Sequence, residues 1–480
     1  MIVLDEYKDK QVAVFGGGQT GRSVIRSLQA GGASVMAWDD EESAREEMNE
    51  LGAMVMHPSG WNWLSLEVLV LSPGIPLTHP EPHEVVTQAK AAGVPVVGDV
   101  ELFARVLKMS EKDVRIIAIT GTNGKSTTTA LIAHLFERTG TKPQVGGNIG
   151  KPVLELDPPE SGSTYVLEIS SYQADLTESL RPDVVIFLNL TPDHLDRHGD
   201  MIGYMKAKRR LVDMLAPDGK VIVGANSRPT QELCTELTLE HREALIPVAA
   251  DRVLGNGVFV IDGMLFDGML PNAEEVANLT DVTSLQGRHN WENAAAAYAC
   301  LHHFGVERSR FPAIFESFVG LPHRLEPVAA IGKVRYVNDS KATNVEAAAR
   351  ALSAFDEVYW IAGGRGKDED LSTLLDHTKN VRRAYLIGEA SSDLANALKG
   401  KVDCIEAETL ERAIALASKE ASVSKGAAPV VLLSPACASF DQFSNFEARG
   451  EAFRTLTEEL VGKNDNIVDF PSCNDGGAAA

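Results

Sequence analysis

A glycine-rich segment, GTNGKS (residues 121–126), lies between an apolar run, RIIAIT, and a helical pattern, STTTALIAHLF. A loop in this position can hold phosphate groups with its backbone N–H groups, while Lys125 neutralises their oxygens and the Ser126 hydroxyl contacts Mg²⁺. The usual phosphate-loop pattern has a further glycine where this chain has Ile119. The segment predicts nucleotide binding, and a structural glycine turn is the alternative.

Two candidate metal ligands follow other apolar runs. Glu168 ends the run YVLE, and His194 belongs to the segment DHLDRH that follows VVIFLNL. Because the carboxyl ends of parallel strands share one edge of a sheet, we expect both residues near the phosphate loop. A carboxylate suits Mg²⁺, whereas histidine is an unusual ligand for it and could equally cap a helix.

A second glycine loop, GGGQTG (residues 16–21), matches G-x-G-x-x-G between a strand and a helix. Asp39 and Asp40 end the next apolar run. The pattern predicts a pyrophosphate at the helix N-terminus and an acid near a ribose hydroxyl. A Rossmann-like unit that binds no ligand and a nicotinamide oxidoreductase are the alternatives from this segment alone.

Four further segments carry residues that have both a functional and a structural interpretation. The lysine-bearing loops NDSKATN (residues 338–344) and GGRGK (residues 363–367) both follow apolar runs, and they indicate either an anionic ligand or exposed loops. Cys437 has no histidine nearby in the sequence, so we interpret it as a small buried thiol. The basic run YMKAKRRLV is typical of a solvated helix face.

The larger pattern is typical of an α/β protein. Apolar, β-rich runs followed by turns and helical patterns restart near Gln11, Val114 and Val334, which predicts three parallel α/β units. We therefore expect Rossmann-like domains at residues 1–106 and 321–480 and a phosphate-loop ATPase domain at residues 107–320. Short strands and turns near residues 221–285 predict a small β insertion in the central domain.

Composition supports this picture and excludes several classes of protein. The 480 residues suffice for about three domains, and 45 basic against 67 acidic residues give a net charge of −22, which argues against nucleic-acid and anionic-membrane binding. The N-terminus lacks a signal-peptide pattern and no apolar run reaches 18 residues, so we expect a cytoplasmic protein without membrane insertion. The five scattered cysteines indicate neither a disulfide framework nor a zinc site.

Taken in chain order, GTNGKS, LEISSYQ, TPDHLD, GRHNWEN, GLPHR, NDSKATN, GGRGK and LSPACASFDQF resemble the motifs of the ATP-dependent Mur ligases of peptidoglycan synthesis. The resemblance spans nearly the whole chain and redirects the first glycine loop from a nicotinamide to a uridine diphosphate. It implies a monomeric amide ligase that adds D-glutamate to UDP-N-acetylmuramoyl-L-alanine through an acyl phosphate. A sister ligase or a folylpolyglutamate-type synthetase that uses another amino acid is the alternative.

The resemblance also implies roles for individual residues. The catalytic residues would be Lys125, Glu168, His194 and Lys208. Two Mg²⁺ ions, with Mn²⁺ as a substitute, would be held by Ser126, Glu168, His194 and a carbamylated Lys208, for which Lys206 is the neighbouring alternative. The ATP-binding residues would be Gly121, Thr122, Asn123, Gly124, Lys125, Ser126, Thr127, Asn290, Asn293, Arg324, Asp339 and Lys341.

The remaining implied residues bind the two other substrates. Those for the UDP substrate would be Gln19, Thr20, Asp39, Ser72, Pro73, Gly74, Asn148 and Gln173. Those for D-glutamate would be Thr343, Lys367, Ser439, Phe440 and Phe446. Because the ligands come from three domains, we expect the C-terminal domain to swing and close the site.

Overall fold

Three sheets, each built mainly of parallel strands, follow one another along the chain. The computed structural model describes residues 1–240, 243–269, 271–366 and 370–461, together with the backbone of 467–468. This arrangement confirms the predicted α/β architecture of three domains. None of the helices in these described ranges combines the length and the apolar composition needed to cross a bilayer.

The N-terminal domain is a five-stranded parallel sheet with strand order β3-β2-β1-β4-β5. Its strands are β1 (Gln11–Phe15), β2 (Ser34–Trp38), β3 (Met54–Val55), β4 (Leu66–Leu71) and β5 (Val96–Val97). Its helices are α1 (Gln19–Ala30), α2 (Glu42–Glu50), α3 (Glu84–Ala92) and α4 (Asp99–Ser110), with short 3₁₀ helices at Asp5–Tyr7, Pro58–Gly60 and Trp63–Ser65. The glycine loop leaves β1 between β2 and β4, which is the position where open α/β sheets bind ligands.

The central domain is a nine-stranded sheet with strand order β14-β13-β12-β11-β10-β9-β6-β8-β7. Its strands are β6 (Arg115–Thr120), β7 (Gln144–Gly147), β8 (Thr164–Glu168), β9 (Val184–Phe187), β10 (Lys220–Gly224), β11 (Leu245–Ala250), β12 (Val258–Ile261), β13 (Met264–Asp267) and β14 (Glu274–Asn278). Its helices are α5 (Lys125–Arg138), α6 (Ser171–Asp175), α7 (Leu195–His198), α8 (Met201–Asp213), α9 (Arg228–Glu240), α10 (Arg288–His303) and α11 (Phe311–Glu316), with 3₁₀ helices at Val153–Glu155, Thr283–Leu285 and Arg308–Arg310. The hairpin-rich segment near 221–285 supplies one edge of this sheet, where β12, β13 and β14 pair antiparallel.

The C-terminal domain is a seven-stranded sheet with strand order β19-β18-β17-β20-β16-β15-β21, in which β15 pairs antiparallel with both neighbours. Its strands are β15 (Glu326–Ile331), β16 (Val334–Asn338), β17 (Val358–Gly363), β18 (Val381–Ile387), β19 (Cys404–Glu408), β20 (Val430–Leu433) and β21 (Ile467–Val468). Its helices are α12 (Val345–Leu352), α13 (Ser391–Ala397), α14 (Leu410–Ser422) and α15 (Phe446–Val461), with a 3₁₀ helix at Leu371–His377.

The strands that carry the central site are buried on both faces, because helices cover both sides of a parallel sheet. All residues of β8 and β9 are buried, and their sequences TYVLE and VVIF are nearly continuous apolar runs. Strand register places Glu168 opposite Ile119, the residue before the last one of β6. The end of β8 therefore lies beside the start of the phosphate loop.

The hydrophobic cores join the first two domains and leave the third separate. One cluster runs from Ile2 in the N-terminal domain to Leu245 in the central domain, and the rings of Phe103 and Tyr165 meet edge-on within it at 5.1 Å. The two clusters of the C-terminal domain contain only C-terminal residues. The first two domains thus share apolar packing, whereas the C-terminal domain has hydrophobic clusters of its own. This separation favours movement of the C-terminal domain as a unit.

Of the two predicted domain boundaries, one lies within a helix and the other lies between two elements. The boundary after residue 106 lies inside α4, which continues to Ser110. The boundary after residue 320 lies in the connection between α11 and β15. Both boundaries stay predictions.

Asp99, the first residue of α4, is expected to make stability depend on pH. The side chain is buried, and burial raises the pKa of Asp99 to about 6 from its ordinary value of 3.8. Because the folded protein holds this proton more tightly than the unfolded chain does, Asp99 contributes to the free energy of unfolding. The contribution is fully present below about pH 4 and is lost as pH rises through about 6. Since a pKa change of one corresponds to about 1.4 kcal/mol, this loss is about 3 kcal/mol.

Asp99→Asn, which cannot ionise, should therefore gain stability relative to the parent protein as pH rises from about 4 to about 7. Melting temperatures of the two proteins across this range measure the difference. Asp218→Asn, at an exposed position, is the matched control. A difference between Asp99→Asn and parent that stays constant with pH would contradict the expectation.

Candidate functional site

The phosphate loop connects β6 to the N-terminus of α5, as the sequence predicts. Gly121 and Gly124 adopt φ values of 140° and 85°, which side-chain-bearing residues rarely adopt. A Cβ at Gly124 would lie 2.5 Å from the Asn293 amide oxygen, so a larger residue has no room there. The loop presents the N-terminal end of a helix, whose free N–H groups and dipole favour an anion.

A half-buried lysine, Lys125, and a buried one, Lys208, meet at the beginning of this loop. The Lys125 ammonium donates hydrogen bonds to the carbonyl oxygens of Gly121 (2.9 Å) and Thr122 (2.8 Å), and the Lys208 ammonium donates to Gly121 (2.9 Å). Burial lowers the pKa of both side chains, and the Lys125 charge further lowers the pKa of Lys208 well below its ordinary range. The unprotonated amine of Lys208 is therefore more accessible energetically than that of a surface lysine.

Helix α8 places in different environments the two lysines that the sequence leaves as alternatives. Lys208 is 1 % exposed and lies over the ring of Tyr204 at 4.6 Å, whereas Lys206 is exposed. The interpretation of the whole basic run as a solvated face is thus wrong for Lys208, because this residue shares the buried face of α8 with Tyr204 and Leu211.

Glu168 presents an unused carboxylate oxygen to this cluster. Its side chain is 2 % exposed, and Oε1 accepts a hydrogen bond from the Asn148 amide at 2.9 Å. Oε2 is buried and has no hydrogen-bond partner among the described residues. A buried carboxylate oxygen without a donor normally indicates a missing partner, and a hard cation is one that fits.

His194 lies at the start of α7 in a left-handed conformation, with φ of 54°. Its ring packs against Tyr172 at 4.9 Å between centroids, and its Nε2 atom lies 3.4 Å from the Asp193 carboxylate. Burial lowers the pKa of His194, and the charge of Lys208 lowers it further while Asp193 opposes the change. The neutral imidazole can therefore donate a lone pair.

Residues from the C-terminal side complete a cluster of positive charge. The Arg324 guanidinium donates to the Ser126 hydroxyl at 2.8 Å, and the Lys341 ammonium lies 3.7 Å from the centre of the Phe446 ring. Burial lowers the pKa of Lys341 to about 8, with a contribution from the Arg324 charge. Lys125, Arg324 and Lys341 therefore place three cations around the phosphate loop of a chain whose net charge is −22, which locally favours anionic substrates.

Two adjoining cavities unite most of the predicted site. The smaller one is lined by eight predicted ATP-binding residues: Asn123, Gly124, Thr127, Asn290, Asn293, Arg324, Asp339 and Lys341. The larger one brings the phosphate loop together with Asn148, Glu168, Thr343 and Phe446. Predicted residues for ATP, for the metal and for both other substrates thus line one cleft between the central and C-terminal domains.

Asp339 is held rigidly at the edge of the smaller cavity. Its carboxylate accepts hydrogen bonds from the Ser434 hydroxyl (2.7 Å) and the Leu325 backbone N–H (3.2 Å). Burial raises the pKa of Asp339 to about 7. A carboxyl group in this position can accept hydrogen bonds from ligand hydroxyls, as predicted for a ribose.

Six of the eight predicted UDP-binding residues lie around the first glycine loop, whereas Asn148 lines the larger cleft cavity. Gln19 and Thr20 begin α1, and the Asp39 carboxylate accepts a hydrogen bond from the Gly17 N–H at 2.6 Å. The Ser72 hydroxyl donates to the Gly16 carbonyl at 3.0 Å, and the loop continues through Pro73 and Gly74. Gln173 differs from the others: it is buried, and its side-chain oxygen accepts from the Ser170 N–H in a capping box at α6.

The predicted D-glutamate residues are only partly brought together. Thr343 and Phe446 line the larger cavity. Ser439 is buried and Phe440 is 63 % exposed, and neither lines the two cleft cavities. Lys367 lies outside the described residues.

Arg449 is a structurally important residue that the sequence interpretation did not single out. Its fully buried guanidinium donates to the Ser340 carbonyl (2.9 Å) and the Cys437 carbonyl (3.1 Å) and more distantly to Gly363 (3.4 Å). Ser340 and Cys437 lie in the loops after β16 and β20, and Gly363 ends β17, so one side chain holds three separate segments together. The burial of Cys437 agrees with its interpretation as a buried thiol.

Arg197 links the site to the N-terminal domain. Its guanidinium donates to the carbonyl oxygens of Pro73 (3.3 Å) and Ile75 and lies over the Tyr172 ring at 5.1 Å. Because Arg197 follows His194 by three residues, the loop predicted to contact the UDP substrate is tied to the segment that carries His194.

The residues present fit a magnesium ion only with help from other ligands. Within the described ranges, no three His, Cys, Asp or Glu side chains converge on one point. The oxygen donors available are Glu168 Oε2 and the Ser126 hydroxyl, with His194 as a nitrogen donor. A cation here therefore needs additional oxygens, which nucleotide phosphates or a modified lysine can supply.

Comparisons with known proteins agree with the geometry. The chain matches the Mur ligase MurD-like N-terminal domain over residues 10–98, the Mur ligase middle domain over 119–301 and the Mur ligase glutamate ligase domain over 323–437. It is 49 % identical over 463 residues to the UDP-N-acetylmuramoylalanine–D-glutamate ligase of Caulobacter vibrioides, covering 96 % of this chain and 98 % of that protein. The enzyme of the same name from Phenylobacterium zucineum is 46 % identical, with the same coverage.

Solved structures show the same fold at low sequence identity. MurF from Acinetobacter baumannii superposes with a TM-score of 0.58 at 18 % identity, covering 90 % of this chain and 91 % of that one. MurF ligase from Thermotoga maritima in complex with ADP superposes with a TM-score of 0.56 at 15 % identity, covering 96 % and 98 %.

Proposed function

Because the chain belongs to the Mur ligase family, we propose that it is an ATP-dependent ligase that joins D-glutamate to UDP-N-acetylmuramoyl-L-alanine in peptidoglycan precursor synthesis. The observation that carries this proposal is the single cleft that unites the phosphate loop, Glu168 and the Thr343 loop. Relatives that are up to 49 % identical over nearly the whole chain are named for the same reaction.

The first chemical step is phosphoryl transfer. An oxygen of the substrate L-alanine carboxylate attacks the γ-phosphorus of ATP, the bond to the β,γ-bridging oxygen breaks, and ADP leaves. Lys125 and Arg324 neutralise the charge that spreads over the phosphate oxygens, and the N-terminus of α5 orients them. The product is an acyl phosphate, in which the carboxyl carbon has become electrophilic.

The second step forms the amide. The neutral amine of D-glutamate attacks the acyl carbon, a tetrahedral intermediate forms, and the C–O bond to phosphate breaks as the amine loses a proton. The cations around the cleft stabilise the developing oxyanion and the departing phosphate. Positioning and charge account for this chemistry, so no covalent nucleophile from the chain is required.

We propose that Mg²⁺ is held by Ser126, Glu168 and His194, together with a carbamylated Lys208. The unpaired Oε2 of Glu168 supports this assignment, because it is a hard oxygen donor on a residue that lines the cleft. The lowered pKa of Lys208 supports carbamylation, since only the neutral amine reacts with CO₂. When bound, the ion neutralises phosphate charge. Two such sites, and substitution by Mn²⁺, belong to the same proposal.

Removal of the metal is expected to abolish activity. In excess chelator, D-glutamate-dependent phosphate release should fall to about a hundredth or less, because uncompensated phosphate charge raises the barrier to transfer. Added Mg²⁺ should restore the rate, and the melting temperature without nucleotide serves as the control for folding. Full activity in excess chelator would refute the metal assignment.

The substrate-binding residues form a further part of the proposal. We propose that Gln19, Thr20, Asp39, the Ser72–Gly74 loop and Asn148 contact the UDP substrate, and that Gln173 contributes through its support of α6. For D-glutamate, Thr343 and Phe446 have the strongest support because they line the cleft. Ser439, Phe440 and Lys367 are proposed to bind D-glutamate on the family resemblance alone.

The cytoplasmic location and the monomeric state of the protein also stay predictions. Light scattering would test the monomeric state.

Amino-acid specificity is the test of the proposed function. Phosphate release from ATP is measured with UDP-N-acetylmuramoyl-L-alanine and, in separate reactions, D-glutamate, L-glutamate, L-alanine or diaminopimelate. We expect release that requires D-glutamate and exceeds the rate with the other amino acids by at least about a hundredfold. Preference for another amino acid would assign the chain to a sister activity, and release with none would refute the ligase proposal.

A further inference from the structure

The first turn of α12 lies directly on the phosphate loop of the central domain. The Glu346 carboxylate reaches across the domain interface, where its Oε2 atom accepts hydrogen bonds from the Asn123 amide (3.1 Å) and the Thr191 hydroxyl (2.7 Å). Asn123 belongs to the phosphate loop, and Thr191 belongs to the segment after β9. One side chain of the C-terminal domain thus contacts two loops of the central site.

Both oxygens of this carboxylate are used. The Oε1 atom of Glu346 accepts a hydrogen bond from the Arg350 guanidinium at 2.6 Å, one turn along α12. Arg350 in turn lines the smaller cleft cavity. The side chains of Glu346 and Arg350 are 30 % and 26 % exposed. Charge-assisted hydrogen bonds in such partly buried positions are stronger than surface ion pairs.

The phosphate loop is rigid at the point of contact. The Asn123 N–H donates to the Asn189 side-chain oxygen at 2.9 Å, and the Asn189 amide donates to the Asn123 carbonyl at 3.0 Å. The main chain of Asn123 is therefore fixed by the central domain, while its side chain is bound by Glu346. Movement of α12 and the geometry of the loop are consequently coupled through one residue.

The same helix turn also fixes the predicted amino-acid loop. The Asn344 side chain caps α12 by accepting a hydrogen bond from the Ala347 N–H at 2.8 Å, and Thr343 directly precedes this cap. The position of Glu346 on the phosphate loop therefore sets the separation between Thr343 and the ATP phosphates. That separation governs whether the amine reaches the acyl phosphate.

We propose that Glu346 is a positioning residue that holds the C-terminal domain against the phosphate loop and thereby couples nucleotide binding to closure over the amino-acid site. This inference rests on the proposed function for its meaning in the reaction. The hydrophobic clusters of the C-terminal domain contain no residue of the central domain. Polar contacts such as Glu346–Asn123 and Arg324–Ser126 therefore contribute much of what holds the two domains together. The loss of one strong polar contact should therefore shift the equilibrium between open and closed forms.

Glu346→Gln is the principal test variant. It keeps the size of the side chain but replaces one accepting oxygen by an amide that must face a donor. We expect the dissociation constant of a non-hydrolysable ATP analogue, measured by calorimetry, to rise roughly tenfold. The compaction seen by small-angle scattering with the analogue and UDP substrate should be lost at concentrations that saturate the parent protein. The KM for D-glutamate should rise more than kcat falls.

Two further variants separate positioning from general destabilisation. Glu411→Gln changes an exposed glutamate in the first turn of α14 and should behave as the parent protein does. Thr191→Val removes one donor to Glu346, and its effect on analogue affinity should be non-additive with that of Glu346→Gln. Melting temperatures should stay within about 2 °C of the parent value.

Analogue affinity and compaction in Glu346→Gln equal to those of the parent protein would overturn the proposal. Additive effects of the two substitutions would overturn it too, as would a loss of affinity that appears only with a large fall in melting temperature. Neither binding nor scattering requires turnover. Failure of the proposed ligase function would instead be seen as absent D-glutamate-dependent phosphate release in the parent protein.

Discussion

Lys125→Ala is expected to lower kcat/KM for ATP by about a thousandfold. The Lys125 ammonium is held by two loop carbonyls at the start of α5, and in the proposed reaction it neutralises the transferred phosphate. Removing it leaves Arg324 and the helix N-terminus as the remaining positive charges for the transition state. Steady-state phosphate release measures the loss.

The control for this variant is Lys142→Ala, at an exposed position shortly after the same helix. It should retain nearly all activity. A loss of less than about tenfold in Lys125→Ala, with the melting temperature unchanged, would show that the loop does not bind the transferred phosphate. The segment GTNGKS would then be interpreted as a structural glycine turn.

Lys208→Ala is expected to lower turnover by at least about a hundredfold, whereas Lys206→Ala should stay within about twofold of the parent rate. The two lysines lie on the same helix, but only Lys208 is buried against the phosphate loop. If Lys208 carries a carbamate, its loss removes a metal ligand as well as a side chain. Phosphate release by the two variants gives the comparison.

A spectroscopic measurement distinguishes the carbamate from a packing role. In the parent protein equilibrated with ¹³C-bicarbonate, we expect one carbamate carbon resonance that disappears in Lys208→Ala and persists in Lys206→Ala. Equal loss of turnover in both variants, or an unchanged resonance in Lys208→Ala, would refute the assignment.

The fold and the phosphate loop could be predicted because their signals are local. Strands such as RIIAIT and VVIF are continuous apolar runs, and the loop GTNGKS stands between a strand and a helix. The burial of Lys208 also has a local signal. Tyr204, Lys208 and Leu211 recur at helical spacing on one face of α8, while Lys206 falls outside it. A helical-wheel argument could therefore have placed Lys208 inside.

The capping role of Gln173 was equally readable from the sequence. Ser170 and Gln173 stand three residues apart at the start of a helix, which is the capping-box spacing. The resemblance to the Mur ligases instead implies that Gln173 binds the UDP substrate. The structure shows that the oxygen of this side chain is engaged in holding α6.

The contacts that join distant segments could not be predicted from local pattern. Glu346 meets Asn123 across 223 residues, and Arg449 meets Ser340 and Gly363 across 109 and 86 residues. A glutamate in the first turn of a helix also suits the helix dipole without any partner. Only the packing of the domains reveals that this one reaches the phosphate loop.

The central claim is that the substrate carboxylate is activated by phosphorylation before the amide forms. It is tested most directly with UDP-N-acetylmuramoyl-L-alanine that carries ¹⁸O in both oxygens of the L-alanine carboxylate. The account predicts that each phosphate released in the presence of ATP and D-glutamate contains one ¹⁸O atom, because the oxygen that attacks the γ-phosphorus leaves with it. Phosphate released without the label, with the amide product still formed, would contradict the account.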